Sequence, residues 1–205
     1  KVINMPYQYP DKKPELVKPA WVAYMYGYLV VGAANSDLFY RSVQFPFETG
    51  DDVMDLAATN GYGRWTFSEW QPDNTLIGCS NGSRLFTFGE RSFQVFTYQS
   101  SVENPFVSPD TAAQNLGIKS AQSLALYGEQ LFWLGSSTMG DGSIYSIGPD
   151  ARTGRISTDE IEDIIAGCDQ KASVGFVTKW KSHPFYVLNF PADSITLCYD
   201  IRDGG

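Results

Sequence analysis

The chain holds a single histidine, His183, and three cysteines, Cys79, Cys168 and Cys198, among 205 residues. Each scarcity closes off a class of chemistry. A Ser/His/Asp or Cys/His nucleophilic centre needs an imidazole base, and His183 stands directly before Pro184 where a strand is expected to begin, the setting of a turn histidine. Cysteines that are odd in number and lack CxxC spacing suit neither a zinc knuckle nor a disulfide framework, so reduced and mostly buried thiols are expected. No apolar run approaches the roughly 18–20 residues that span a bilayer, and no membrane association is expected. Basic charge is also short, with 15 Lys and Arg against 23 Asp and Glu and a formal net charge of −8. No stripe of Lys or Arg interleaves with aromatics, which argues against a sequence-specific grip on nucleic acid. The phosphate loop, the dinucleotide fingerprint, the HExxH zinc motif and the calcium loop are all missing. The sequence therefore nominates no catalytic, cofactor-binding or metal-binding residue and no cofactor.

What the chain does have is strand chemistry. Aromatics make up 15%, hydrophobic residues 43%, and there are 19 glycines and 11 prolines. The organising stretch is residues 75–99, where the apolar runs Leu76-Ile77, Leu85-Phe86-Phe88 and Phe93-Val95-Phe96-Tyr98 are separated by Asn81-Gly82 and by Gly89-Glu90-Arg91-Ser92. Asn-Gly is a strong hairpin signal because both central residues of a type I′ turn take positive φ. The unit recurs. Its middle strand starts at Leu29, Leu85, Leu131 and Phe185, at intervals of roughly 45–55 residues, close to the period of β-propeller blades. Third strands follow at Leu38-Phe39-Tyr40, Gln94-Val95-Phe96, Ser143-Ile144-Tyr145 and Ile195-Thr196-Leu197. Each comes after a polar turn, built from Asn35-Ser36-Asp37, Glu90-Arg91-Ser92, Gly140-Asp141-Gly142 or Ala192-Asp193-Ser194. The expected fold is an all-β propeller with about four blades of antiparallel strands and one short helix. A two-sheet sandwich is the competing architecture.

In chain order, residues 1–19 carry Pro6, Pro10, Pro14 and Pro19 and read as an extended lead-in. The propeller domain spans 20–205, with blades over roughly 20–57, 75–99, 122–157 and 173–205. A short edge strand is expected at Val53-Met54-Asp55-Leu56, and residues 101–117 form a long surface connection through Pro105 and Pro109. The helix should begin with a capping box, Ser157 over its first turn and Glu160 reaching back, and carry the apolar stripe Ile161, Ile164 and Ile165 as far as Gly167. Asp159, Glu160, Glu162 and Asp163 suit the positive end of its dipole rather than a metal or catalytic cluster. In the last strand Ile195, Leu197, Tyr199 and Ile201 share one face, with Thr196, Cys198 and Asp200 on the other. A fourth strand for that blade would fall beyond Gly205, so the chain reads as part of a larger propeller cut at both ends.

Two features hint at other chemistry. Gly140-Asp141-Gly142-Ser143 resembles a fragment of the Asp-box turns of sialidase-type propellers, yet it does not recur with the repeat and reads as hairpin chemistry. Tyr62, Trp65 and Trp70, in a glycine-flanked segment at 61–70, would serve a carbohydrate-binding or glycosidase-like propeller as stacking platforms or a protein partner as anchors, or pack as a loop on the blade beneath. No carboxylate pair stands out beside them.

Longer stretches then resemble one family. They are Gly27-Tyr28-Leu29-Val30-Val31, Asn35-Ser36-Asp37-Leu38-Phe39-Tyr40-Arg41-Ser42, Pro72-Asp73-Asn74, and Phe88-Gly89-Glu90-Arg91-Ser92-Phe93-Gln94-Val95-Phe96. They continue with Leu131-Phe132-Trp133-Leu134-Gly135, Arg155-Ile156-Ser157-Thr158-Asp159-Glu160-Ile161-Glu162, His183-Pro184-Phe185-Tyr186-Val187-Leu188 and Cys198-Tyr199-Asp200. Their collinear order is similar to the packaged-DNA stabilisation proteins of short-tailed, podovirus-like bacteriophages. The resemblance implies a non-enzymatic virion protein of the viral tail at the head-tail junction, assembled in the host cytoplasm. Such a protein stabilises packaged DNA, forms part of the tail conduit and binds other phage tail or portal-adaptor proteins, as a homo-oligomeric ring. It carries over no site residues.

Overall fold

The structure is a computed structural model that describes residues 5–7, 15–42, 44, 65–67, 73–100, 105–109, 113–137 and 140–203. The chain divides into two compact units, Lys1–Gln114 and Asn115–Gly205.

In the first unit β1 (Met5–Tyr7) and β2 (Glu15–Val17) pair antiparallel within the proline-rich lead-in. The first main sheet follows in simple order as β3 (Pro19–Met25), β4 (Tyr28–Ala33), β5 (Leu38–Arg41) and β6 (Trp65–Phe67). The second is β7 (Thr75–Ser80), β8 (Arg84–Gly89) and β9 (Phe93–Tyr98), with the two-residue strands β10 (Phe106–Val107) and β11 (Ala113–Gln114) both pairing β9. The expected edge strand at 53–56 lies outside the described residues.

The second unit opens with β12 (Leu116–Ile118) and β13 (Ala125–Tyr127), which share the middle strand β14 (Gln130–Ser137), followed by β15 (Gly140–Ile147) and β16 (Thr153–Arg155). The helix α1 (Asp159–Ala166) leads to a sheet of β17 (Val174–Trp180), β18 (His183–Phe190) and β19 (Ile195–Asp200). Among the described residues every strand pairing is antiparallel. The recurring hairpin therefore appears four times as the repeat requires.

The turns differ in detail from what the sequence predicts. At Asn81-Gly82 only Gly82 takes positive φ, at 94°. Asn81 instead uses its side-chain oxygen to accept the amides of Ser83 and Arg84 at 3.3 and 3.0 Å, so the asparagine acts as a side-chain brace. Paired positive φ occurs at Tyr26-Gly27, 49° and 84°, and at Lys181-Ser182, 48° and 72°. Gly140-Asp141-Gly142 is not a turn, because β15 already begins at Gly140. A register shift opposite Leu134 and Ser136 lengthens that strand, and Gly142 sits there at φ 100°.

The helix also departs from expectation. Its N-cap is Thr158, whose side chain makes no capping bond. Ser157, the expected cap, accepts the Ile144 amide at 2.9 Å and donates to Glu162 at 2.6 Å, so β15 has recruited it and the helix starts one residue later. Arg155 pairs with both Asp159 and Glu162, fastening the helix to β16. Of the apolar stripe Ile165 is fully buried, Ile161 is half-buried and Ile164 is 44% exposed, since eight residues cover too little of the sheet to bury three isoleucines.

Close approach of sheet to sheet explains the cores. In the first unit Trp21, Ala23 and Met25 point inward from β3 while Val22 and Tyr24 point out, the period of two of a strand covered on one face. The Trp21 ring lies against Gly32 of β4 and Gly78 of β7, and a Cβ on either glycine would overlap the ring. Its Nε1 donates to Thr75 Oγ1 at 3.4 Å, and Thr75 donates through both its amide and its hydroxyl to the Ser36 carbonyl, at 2.9 and 3.0 Å. In the second unit Gly175 of β17 meets the Ser123 carbonyl just as closely. That carbonyl accepts the Tyr186 hydroxyl at 2.8 Å, while the Tyr186 ring stacks on Phe132 at 5.4 Å. Ser120 Oγ donates to the Ser173 carbonyl at 2.7 Å, completing a buried polar seam between the two sheets. Burial pushes the Tyr186 hydroxyl far above its ordinary pKa, so it remains a donor.

Three consequences are measurable by urea denaturation. Gly78→Ala should destabilise the protein by about 1–3 kcal/mol through overpacking against Trp21. Gly154→Ala, where open space surrounds the glycine, should stay within about 0.5 kcal/mol of the parent. Tyr186→Phe keeps the stacking but leaves the Ser123 carbonyl without its hydroxyl donor, and should cost about 1–2 kcal/mol.

Candidate functional site

Among the described residues, His183, Asp200 and Asp203 cluster where β18 begins and β19 ends. His183 follows the left-handed pair Lys181-Ser182, and Asp200 lies across the ladder, opposite Phe185. His183 Nδ1 is 2.8 Å from Asp200 Oδ2 and 3.6 Å from Asp203 Oδ2. The other oxygen of Asp200 accepts the amides of Arg202 and Asp203, at 2.9 and 3.4 Å. Partial burial pushes the Asp200 carboxyl up, but the His183 hydrogen bond, the two amides and the imidazole charge together outweigh it and hold the group below its ordinary range. One atom from each of His183, Asp200 and Asp203 lies within 4.8 Å of the others, spacing that a small cation would fit. The same contacts tie the first residue of β18 to the turn that follows β19.

A second polar site has the same character. Asp73, from the Pro72-Asp73-Asn74 motif, accepts the amides of Arg91 and Ser92 through one oxygen at 2.7 and 3.0 Å, bracing the β8–β9 turn. A Cβ at Gly89 would collide with that carboxylate, which explains the glycine in the neighbouring Gly89-Glu90-Arg91-Ser92 turn.

The cysteines divide. Cys79 has its thiol enclosed, and burial pushes its pKa up to about 12. Cys168 is half-buried with its sulfur on the Ile164 carbonyl at 3.3 Å, and desolvation raises its pKa. Cys198 is exposed, against the expectation of mostly buried thiols, because its face of β19 is uncovered.

The features with the strongest claim to a surface role escaped the sequence reading. Val22, Tyr24 and Tyr26 stand out from the first unit, with Tyr26 stacked on Tyr98 at 4.5 Å. In the second unit Phe176 is 48% and Trp180 65% exposed, with Lys181 Nζ 4.6 Å over the Trp180 ring. Strand periodicity marks the alternation in β3 but not which face meets solvent, and Lys179-Trp180-Lys181 carried no motif. Of the aromatic set proposed for stacking, Tyr62 and Trp70 lie outside the described residues, and Trp65 is placed only by its backbone in β6, opposite Tyr40.

Comparison with known proteins gives one strong result. No curated protein matches the chain significantly. Among solved structures it is similar to a chain of the nidogen/laminin complex, at 12% identity and TM-score 0.43 over 95% of this chain and 70% of that one. It is also similar to an engineered GH43 glycoside hydrolase with endo-xylanase and exo-arabinofuranosidase activity, at 10% identity and TM-score 0.31 over 90% and 38%. The family described as Bacteriophage P22 Gp10, beta-propeller, by contrast, matches residues 8–204. With that match running almost end to end over the four recurring sheets, the chain belongs to the phage-stabilisation family and has its β-propeller fold.

Proposed function

We propose that this chain is a non-enzymatic structural protein of the phage virion, part of the tail at the head-tail junction. There it keeps packaged DNA from escaping, forms part of the conduit and binds neighbouring tail or portal-adaptor proteins, as a ring of identical copies put together in the host cytoplasm. The four main sheets act as successive blades of the propeller. The observation that carries this reading is the family match across residues 8–204.

Three further facts support it. The closest-knit polar groups, at Asp73 and at His183, Asp200 and Asp203, brace turns and so add rigidity rather than a reactive centre. The net charge of −8 disfavours adhesion to a polyanion, as a passage for duplex DNA requires. Large apolar side chains at the surface, Tyr24 and Trp180 among them, provide the contact area that association with protein neighbours needs.

Phage lacking this protein should fill their heads and then lose the DNA, read as a fall in nuclease-protected genome per particle, and purified wild-type tails should contain the polypeptide by mass spectrometry. Heads that retain their genome, together with tails free of the protein, would overturn the reading. The turn-bracing role is separately testable by pH. Because the Asp200 carboxyl is held below its unfolded value of about 3.9, its contribution is fully present above that value and is lost as pH falls through the lower folded one. The stability gap between the parent and Asp200→Asn should therefore be steady near neutrality and shrink in the acid range. A gap that widens on acidification would contradict the assignment.

A further inference from the structure

We infer that His183, Asp200 and Asp203 form a binding site for one divalent cation of the zinc class, which fastens the start of β18 to the turn after β19. The inference rests on these three side chains and does not depend on the virion role.

The first support is geometric. His183 Nδ1, Asp200 Oδ2 and Asp203 Oδ2 all lie within 4.8 Å of one another, the imidazole nitrogen 2.8 Å from one carboxylate and 3.6 Å from the other. Donors that share an ion at about 2.0–2.2 Å stand roughly 3–4 Å apart, so small side-chain rotations turn this cluster into a coordination set. The surrounding main chain is already fixed. The Ile201 amide donates to the Pro184 carbonyl at 2.9 Å, and Asp200 Oδ1 accepts the amides of Arg202 and Asp203. That division of labour leaves Asp200 Oδ2 to face the imidazole. The His183 ring is set in turn by Phe185, its centroid 6.4 Å away and its plane inclined by 26°. Little further ordering is needed to bind an ion.

The second support is electrostatic. A hydrogen on Nδ1 can serve Asp200, but 3.6 Å is too long for a hydrogen bond to Asp203. Asp203 Oδ2 nevertheless stands beside the same nitrogen, while the Arg202 guanidinium is 3.9 Å from its other oxygen. A neutral ring, the form that ligates metal, offers the two carboxylates no positive charge, so a dipositive ion among the three facing atoms is attracted by both. The donor set selects the ion. One imidazole nitrogen with two carboxylate oxygens suits zinc and its neighbours, whereas magnesium and calcium prefer oxygen alone. Water completes the coordination, since the Asp203 side chain is 61% exposed.

The test exploits the lone histidine. The full chain, stripped with chelator and labelled for NMR, is titrated with zinc chloride while nitrogen spectra read the His183 ring without overlap. One equivalent should saturate the protein, Nδ1 should shift as the ligating nitrogen, and the thermal midpoint should rise. Magnesium chloride should bind at least about tenfold more weakly than zinc. Asp203→Asn, at an exposed position, should weaken zinc binding about tenfold or more while circular dichroism stays that of the parent. Cys198→Ser controls for the exposed thiol of β19 and should leave zinc affinity unchanged. If Asp203→Asn misfolds, the Nδ1 shift in the unaltered chain still decides the matter. Absence of saturable binding, a ring that does not respond or ligates through Nε2, affinity indifferent to Asp203→Asn, magnesium binding as tightly as zinc, or loss of binding in Cys198→Ser would each overturn the inference.

Discussion

The constraint on which both units depend is how closely one thin sheet must approach the next. A three- or four-stranded sheet cannot shield both its faces, so its middle strand is buried only if a neighbouring backbone comes within side-chain reach. The chain meets this demand with glycine at the points of nearest contact. Gly32 and Gly78 leave a slot that the Trp21 ring fills, and Gly175 lets β17 settle against the Ser123 carbonyl. A buried aromatic of this size contributes on the order of 1.5–3 kcal/mol from the apolar area removed from water. That gain is available only while the slot stays open, because interiors packed to crystal density transmit a single added methyl directly into strain.

Nearness creates a second demand. Backbone groups brought into the junction lose water, and each buried carbonyl or amide without a partner costs about 1–3 kcal/mol. The two units answer with the same small hydroxyl chemistry. Thr75 accepts a hydrogen bond from the Trp21 indole N–H and donates to the Ser36 carbonyl in the first unit. Ser120, Ser123 and Tyr186 do equivalent work in the second, where Ser123 also accepts the Leu134 amide at 3.1 Å. Glycine and hydroxyl residues thus belong to one device, the first removing bulk and the second restoring hydrogen bonds. At the turns, carboxylates and amides take over. Asp73, Asn81, Asp169 and Asp200 each hold backbone amides within a few residues of a strand end.

This division explains what the sequence could reveal. The middle strands were legible because Leu85-Phe86, Leu131-Phe132-Trp133 and Phe185 through Leu188 are dense apolar runs repeated at a blade-like interval, a signal that survives local irregularity. Turn chemistry was legible only where a residue has one dominant use. Asn81 has two, an αL conformer or a side-chain brace, and the brace won. The conformation of the Lys181-Ser182 turn was illegible because neither residue announces positive φ; the ladder closing at Trp180 and His183 imposes it. Ser157 was misassigned for the same reason, since a local capping pattern competed with a tertiary partner, the Ile144 amide, that no local window contains. Surface character was least legible of all, because alternation in β3 is equally consistent with either face outward until Trp21 finds Gly78.

Beyond the turns and seams that hold Asp73, Asp200 and Ser120, large apolar side chains stand at the surface. With eight net negative charges, like molecules repel over a Debye length of about 8 Å at physiological salt. Long-range attraction therefore cannot gather identical copies; contact must be won at short range, where each square ångström of apolar surface removed from water contributes roughly 25 cal/mol. The exposed residues are suited to that regime. Tyr24 and Trp180 combine large apolar area with few rotatable bonds, which keeps the entropy lost on contact small. Aromatic anchors outside an acidic, rigidly braced frame favour neighbours that fit in shape over polyanions that merely attract.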